Sequence, residues 1–247
     1  KMASANGNDF IISPNSNEAF AAVDELLDSG FEVGQLQSAS GTFPAGSFYV
    51  KSEDHLAEVM RKLADKWSFN ADVATGNDAL FNTKVHTLTN PRIAIYEPWG
   101  GVMDAGWTRH IFEQFELESQ TLRHADIVDG TFAENVDIIF FPDGLSANRI
   151  LRGSSNWPEP YKGGIGEQGR QALLAFVRNG GTLAAFGRTS MALVEVLELP
   201  VANALEGLSR QDYFAPGSLV LTELESDSPL AYGLPEKLPV MNRWGPA

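Results

Sequence analysis

Three short apolar runs constrain this chain most: IAIY (93–96), VDIIFFPD (136–143) and TLAAFG (182–187). They are apolar at successive rather than alternate positions, which is the pattern of strands buried on both faces. Amphipathic segments stand between them, Asp104–Phe115 and Glu167–Asn179, and a further helix begins near Ser190. Gly180–Gly181 closes the second of these, as glycine commonly does at a helix C-terminus. The rhythm predicts parallel strands joined by right-handed helical crossovers, hence an α/β, doubly wound sheet. Such sheets bind ligands outside the carboxyl ends of their strands, at a switch point. That rule nominates three loops: Glu97–Met103, Asp143–Ile165 and Arg188–Ser190.

The segment before Asn90–Pro91 reads differently, as a small α/β unit over residues 1–89. In NSNEAFAAVDELLDS (15–29), Phe20, Val23, Leu26 and Leu27 form one helical stripe, with Ser16 or Asn17 as N-cap and Gly30 as stop. Strands are expected at Phe31–Leu36 and near Ser47–Lys51, where Phe48 and Val50 alternate. A second helix is expected over Ser52–Trp67, with Leu56, Val59, Met60, Leu63 and Trp67 in helical spacing. Near the end of the chain, GSLVLTEL is strand-like and SPLAYGLP is rich in turn formers, with no clear last element after them.

Charge and composition remove several functions. Of 247 residues, 18 are basic and 32 acidic, a net charge of −14. That field repels phosphate backbones and anionic membranes, so no nucleic-acid partner is expected. No apolar run is long enough to span a bilayer, so no membrane span is expected. The chain has no cysteine, which removes disulfides, thiolate nucleophiles and cysteine-based zinc sites. Acid–base or metal chemistry would have to come from His55, His86, His110, His124 and the carboxylates.

The residues also carry a family resemblance. The runs IAIYEPWGGVMDAGWTRHIFEQF (93–115), DIIFFPD (137–143), YKGGIGEQGRQALLAFVRNGGTLAAFG (161–187) and FAPGSLVLTELESDSPLAYGLP (214–235) resemble a region of large bacterial zinc carboxypeptidases of the carboxypeptidase A family. In those proteins the region lies beyond the peptidase domain and is similar to a class I glutamine amidotransferase. The segments NSNEAFAAVDELLDSGFEV and TFPAGSFYV resemble the connection between the two domains. The most specific pieces are MDAGWTR after its strand and the GGIGEQG block. The resemblance implies a flavodoxin-like, class I glutamine-amidotransferase-like domain over 90–247, open to truncation at its C-terminus, preceded by the connecting unit over 1–89. It implies a parent metallocarboxypeptidase acting on peptides, with the zinc and catalytic residues upstream of Lys1. No cofactor is then expected in this chain, zinc being implied for the parent alone. The implied partners are the peptidase domain of that parent and a peptide or cell-wall ligand, and the implied location is exported, periplasmic or extracellular.

One departure bears on activity. Class I amidotransferases carry a cysteine nucleophile on the sharp turn after the strand that corresponds to TLAAFG, followed by glycine, with a His–Glu pair near the C-terminus. Here Gly187, Arg188, Thr189, Ser190 and Met191 occupy the turn, and no histidine follows His124. Glutamine hydrolysis is therefore excluded, and a non-catalytic accessory domain is the expected role.

Four constellations remain to be weighed. His55 and Glu58 match the His-x-x-Glu spelling of a zinc pair, and one helical turn could bring them to one face; the competing reading is the polar face of an amphipathic helix. Ser190 or Thr189 could act as a hydroxyl nucleophile with His110 or His124 as base, making the chain an independent serine hydrolase; helix capping explains the same residues. Gly163-Gly164-Ile165-Gly166 resembles a phosphate cradle, but Glu159 and Glu167 put negative charge there, and a close-packed turn is the better reading. Finally, Glu97, Trp99, Asp104, Trp107, Arg109, Asp143 and Arg188 gather at the predicted strand ends as a polar cleft suited to a peptide or sugar, in effect a degenerate ligand sensor. The alternative is a salt-bridged cap with Asp104 as N-cap, Trp107 in the core and Arg109 paired with Asp143.

Overall fold

The computed structural model describes residues 8–74, 84–214, 217–226 and 228–242. It divides into two compact units, Lys1–Asn90 with Leu221–Val240, and Pro91–Val220 with Met241–Ala247. The break after Asn90 falls where the sequence changes rhythm, but residues 221–240 group with the first unit rather than the second.

In the first unit the chain runs β1 (Asp9–Ile12), α1 (Asn17–Asp28), β2 (Val33–Leu36), β3 (Phe48–Val50), α2 (Leu56–Trp67), β4 (Ala71–Ala74) and β5 (Val85–Thr87). The strands form one sheet in the order β4-β1-β3-β2-β5, each adjacent pair antiparallel. The first six elements make a split βαβ repeat. The two-residue period of β1 explains its place in the sheet. Phe10 and Ile12 pair in register with Val50 and Phe48 and share one core with Ala22, Leu26, Leu56, Met60 and Leu63 of the helices, while Ile11 faces the opposite cluster with Leu36 and Ala74. Burying each of the Phe, Ile, Leu and Met side chains among these contributes about 1.5–3 kcal/mol of transfer free energy. The second helix starts at Leu56 rather than Ser52, and Phe20, expected on the buried stripe of α1, is exposed with its ring edge against Phe48.

The second unit runs β6 (Ile93–Tyr96), α3 (Met103–Gln114), β7 (Ser119–Leu122), α4 (His124–Asp129), β8 (Ile138–Phe141), α5 (Ala147–Arg152), α6 (Gly166–Arg178), β9 (Thr182–Ala185) and α7 (Arg188–Leu197). Its sheet has the order β7-β6-β8-β9, with every pairing parallel. A four-stranded parallel sheet flanked by helices is compatible with a doubly wound α/β fold. Ala94, Tyr96, Ile139 and Phe141 pack with Ile127, Ile150, Leu173, Phe176 and Val196 in one core. The chain leaves β6 toward β7, then returns to the other side for β8 and β9. The carboxyl ends of β6 and β8 therefore flank the point where strand order reverses. After α7 come β10 (Ser218–Glu223) and β11 (Lys237–Asn242), which pair as a two-stranded sheet. The strand-like tail thus has a last element that its sequence did not announce.

Candidate functional site

Two groups of polar side chains form at the carboxyl edge of the parallel sheet, on opposite sides of the reversal. The first centres on Glu97, the residue after β6. Its Oε2 accepts from Arg109 Nη2 at 2.8 Å and lies 3.5 Å from Arg123 Nη2, with the Glu97 side chain only 13% exposed. Arg123, directly after β7, also donates Nη1 to the Glu97 carbonyl at 2.8 Å and lays its guanidinium 4.4 Å from the centre of the Trp99 ring. Trp99 also meets Tyr161 edge-on, ring centres 4.7 Å apart. A largely buried carboxylate between two guanidiniums, one of them stacked on an indole, is a pre-ordered polar platform.

The second group surrounds Asp143, after β8. Its Oδ1 accepts from the backbone N–H of Gly144 at 2.7 Å and of Arg188 at 2.8 Å, so the carboxylate sits at the N-terminus of α7, where the helix dipole favours it. The Arg188 side chain is mostly exposed, its Nε 3.9 Å from the same oxygen. Thr189 is fully buried, and its Oγ1 accepts from the Leu145 N–H at 3.0 Å. Ser190 Oγ donates to the Gly187 carbonyl at 2.6 Å. Both hydroxyls are thus spent on holding the β9–α7 turn.

Several sequence expectations need correction. Arg109 pairs with Glu97 and not with Asp143. Asp104 is not the N-cap of α3; Val102 holds that position, without a side-chain cap bond. Trp107 is 60% exposed rather than in the core, with its ring against His110. The cause is common to both aromatic and helix: Ala105 is the one buried residue of α3 among those described, so the Met103, Trp107 and Ile111 positions turn outward. His110 is exposed on that helix and makes no hydrogen bond to Ser190 or Thr189 among the described residues, and His124, buried after Arg123, has an Nδ1 without a partner.

In the first unit, His55 precedes α2 in the left-handed region, at φ +66°. Glu58 is turned to Lys62, 2.8 Å away, whose ammonium holds the carboxyl below the usual carboxylate range. His55, Glu58, Glu53, Asp54 and Arg61 line an open groove of about 550 Å³. Among the described residues no three histidine or carboxylate side chains converge in a way that could hold a metal ion.

Tyr96, Arg123, Arg149, Trp157 and Tyr161, at or beside this sheet edge, are not singled out by the sequence, although Arg149, Trp157 and Tyr161 fall within the nominated loop Asp143–Ile165. Applying the strand-end rule to β7 would have found Arg123, had that polar strand been recognised. The chain matches no protein-family model, no curated protein and no solved structure in the comparisons made.

Proposed function

We propose that this chain is a non-catalytic accessory module of a zinc-carboxypeptidase-like parent, with its second unit a flavodoxin-like, class I glutamine-amidotransferase-like domain that has lost its chemistry. What supports the reading is the β9–α7 turn, where the resemblance would put an amidotransferase nucleophile. There the Ser190 hydroxyl is turned onto the Gly187 carbonyl and the Thr189 hydroxyl is buried against Leu145. A nucleophile needs a base within hydrogen-bond reach, and neither hydroxyl has a histidine partner among the described residues. In this reading zinc belongs to the parent, whose peptidase domain is the partner, and the protein is exported. The test is binding between this chain and that peptidase domain, each expressed separately and titrated by calorimetry. Saturable one-to-one binding is expected; no heat of binding with both partners folded contradicts the docking role.

A further inference from the structure

Tyr96, the last residue of β6, is fully buried. Its ring packs against Phe141, centres 5.0 Å apart, in the core that also takes Ala147 and Ile150 of α5. Its hydroxyl has no hydrogen-bond partner. A buried hydroxyl stripped of water and left without an acceptor is both uncommon and costly.

Arg149 belongs to the same helix, α5, next to Ile150 of that core. From there the side chain reaches the β6–α3 loop, where Nη2 donates to the Gly101 carbonyl at 2.7 Å. Arg109, Arg123 and Arg188 at the same edge each face a carboxylate. Arg149 has none within ion-pair distance among the described residues. Its charge does act on the Tyr96 hydroxyl, opposing the upward push that burial gives the phenol's pKa. Against the same loop lies Trp157: a Cβ at Gly100 would stand 2.9 Å from its Cζ2 and 3.6 Å from Arg149 Nη2. One glycine thus separates a flat indole from a cation lacking a carboxylate partner.

We propose that the crevice between the carboxyl ends of β6 and β8 binds a small organic carboxylate bearing a flat apolar group. The carboxylate replaces the Gly101 carbonyl on the Arg149 guanidinium and accepts the Tyr96 hydroxyl, while the apolar part lies against Trp157. One oxyanion supplies both the anion that Arg149 lacks and the acceptor that Tyr96 lacks. Two donors match the two oxygens of a carboxylate. The hydroxyl is sealed from water, so the crevice opens when a ligand enters, and the proposal assigns that movement to the Gly100–Gly101 turn. Both residues have positive φ, +87° and +64°, which glycine adopts without steric cost. The site goes beyond the accessory-module reading and does not depend on it.

The test uses the full chain, with benzoate, its neutral isostere benzamide and inorganic phosphate titrated separately while the Trp157 indole N–H is followed by NMR. Benzoate is expected to shift that signal saturably, with benzamide at least about tenfold weaker for want of a charge-assisted bond. Arg149→Met abolishes the saturation, and the isosteric Tyr96→Phe weakens it about fivefold, the share of one hydrogen bond. Failure of benzoate to saturate with folded wild-type protein overturns the proposal, as does unchanged binding in both variants. Phosphate binding as tightly as benzoate, and unaffected by Trp157→Ala when both proteins are titrated by calorimetry, overturns the ligand class in favour of a simple oxyanion. None of these outcomes bears on whether the chain docks on a peptidase domain.

Discussion

The Asp143 carboxylate occupies the space that a side chain on Gly187 would need: a Cβ there would stand 2.5 Å from Asp143 Cγ. Gly187 also has φ +53°, so the turn that presents the N-terminus of α7 to Asp143 exists only with glycine. Gly187→Ala combines left-handed strain with a clash, and a loss of about 2–4 kcal/mol is expected in urea unfolding. A loss under about 0.5 kcal/mol, the range of ordinary surface changes, would contradict the packing described.

Thr189 tests whether the turn is structural. Its buried hydroxyl ties α7 to the Leu145 backbone, so Thr189→Val, which keeps the shape and removes the oxygen, leaves a buried N–H unpaired. A destabilisation of about 1–3 kcal/mol is expected, with Thr189→Ser recovering part of it. Equal stability of the Val variant and wild type would remove the structural role.

Tyr96→Phe is expected to act in the opposite direction. The variant deletes a buried hydroxyl that has no partner and keeps the ring that packs on Phe141. Stability without ligand should stay level or rise by about 1 kcal/mol. A fall of that size in thermal or urea unfolding would mean that the hydroxyl has an acceptor in solution.

How much of this was legible in the sequence depended on burial. β6 and β8 were readable because residues such as Ala94, Ile95, Ile139 and Phe141 are buried in a parallel sheet covered by helices. β7 was not, because SQTL lies at the sheet edge and buries only Leu122, which leaves no apolar signal. Arg123, which follows β7 and is the second cation on Glu97, is hidden in the sequence for the same reason. β1 is not legible because four residues beside Ser13–Pro14 give too short a pattern, although Phe10 and Ile12 belong to the first core. At the site, the strand-end rule did locate Asp143 and Arg188. Which carboxylate Arg109 would choose was not legible, since it depends on how α3 lies over β6 and on which of its faces turns outward.

The Arg92–Asp137 pair gives a pH signature. Arg92 Nη2 meets Asp137 Oδ1 at 2.8 Å and its Nε meets Oδ2 at 3.0 Å, so the guanidinium holds the Asp137 carboxyl down at about 2. The folded pKa lies below the unfolded one. The stabilisation is therefore complete above the ordinary aspartate range and is lost as pH falls through that range toward 2. Because both side chains are about half exposed, solvent screening limits it to about 1 kcal/mol or less. An NMR titration should place the Asp137 midpoint near 2 in wild type and back in the usual aspartate range in Arg92→Met. A normal midpoint in wild type would mean that the pair does not form.

The most direct test of the non-catalytic reading is hydrolysis by the purified chain of a nitrophenyl ester, glutamine and short peptides, compared with its Ser190→Ala variant. No turnover above buffer is expected from either protein, and the variant should remain folded, because Ser190 Oγ donates only to the Gly187 carbonyl among the described residues. Turnover by the wild type that Ser190→Ala abolishes would make Ser190 a nucleophile and the chain a hydrolase in its own right.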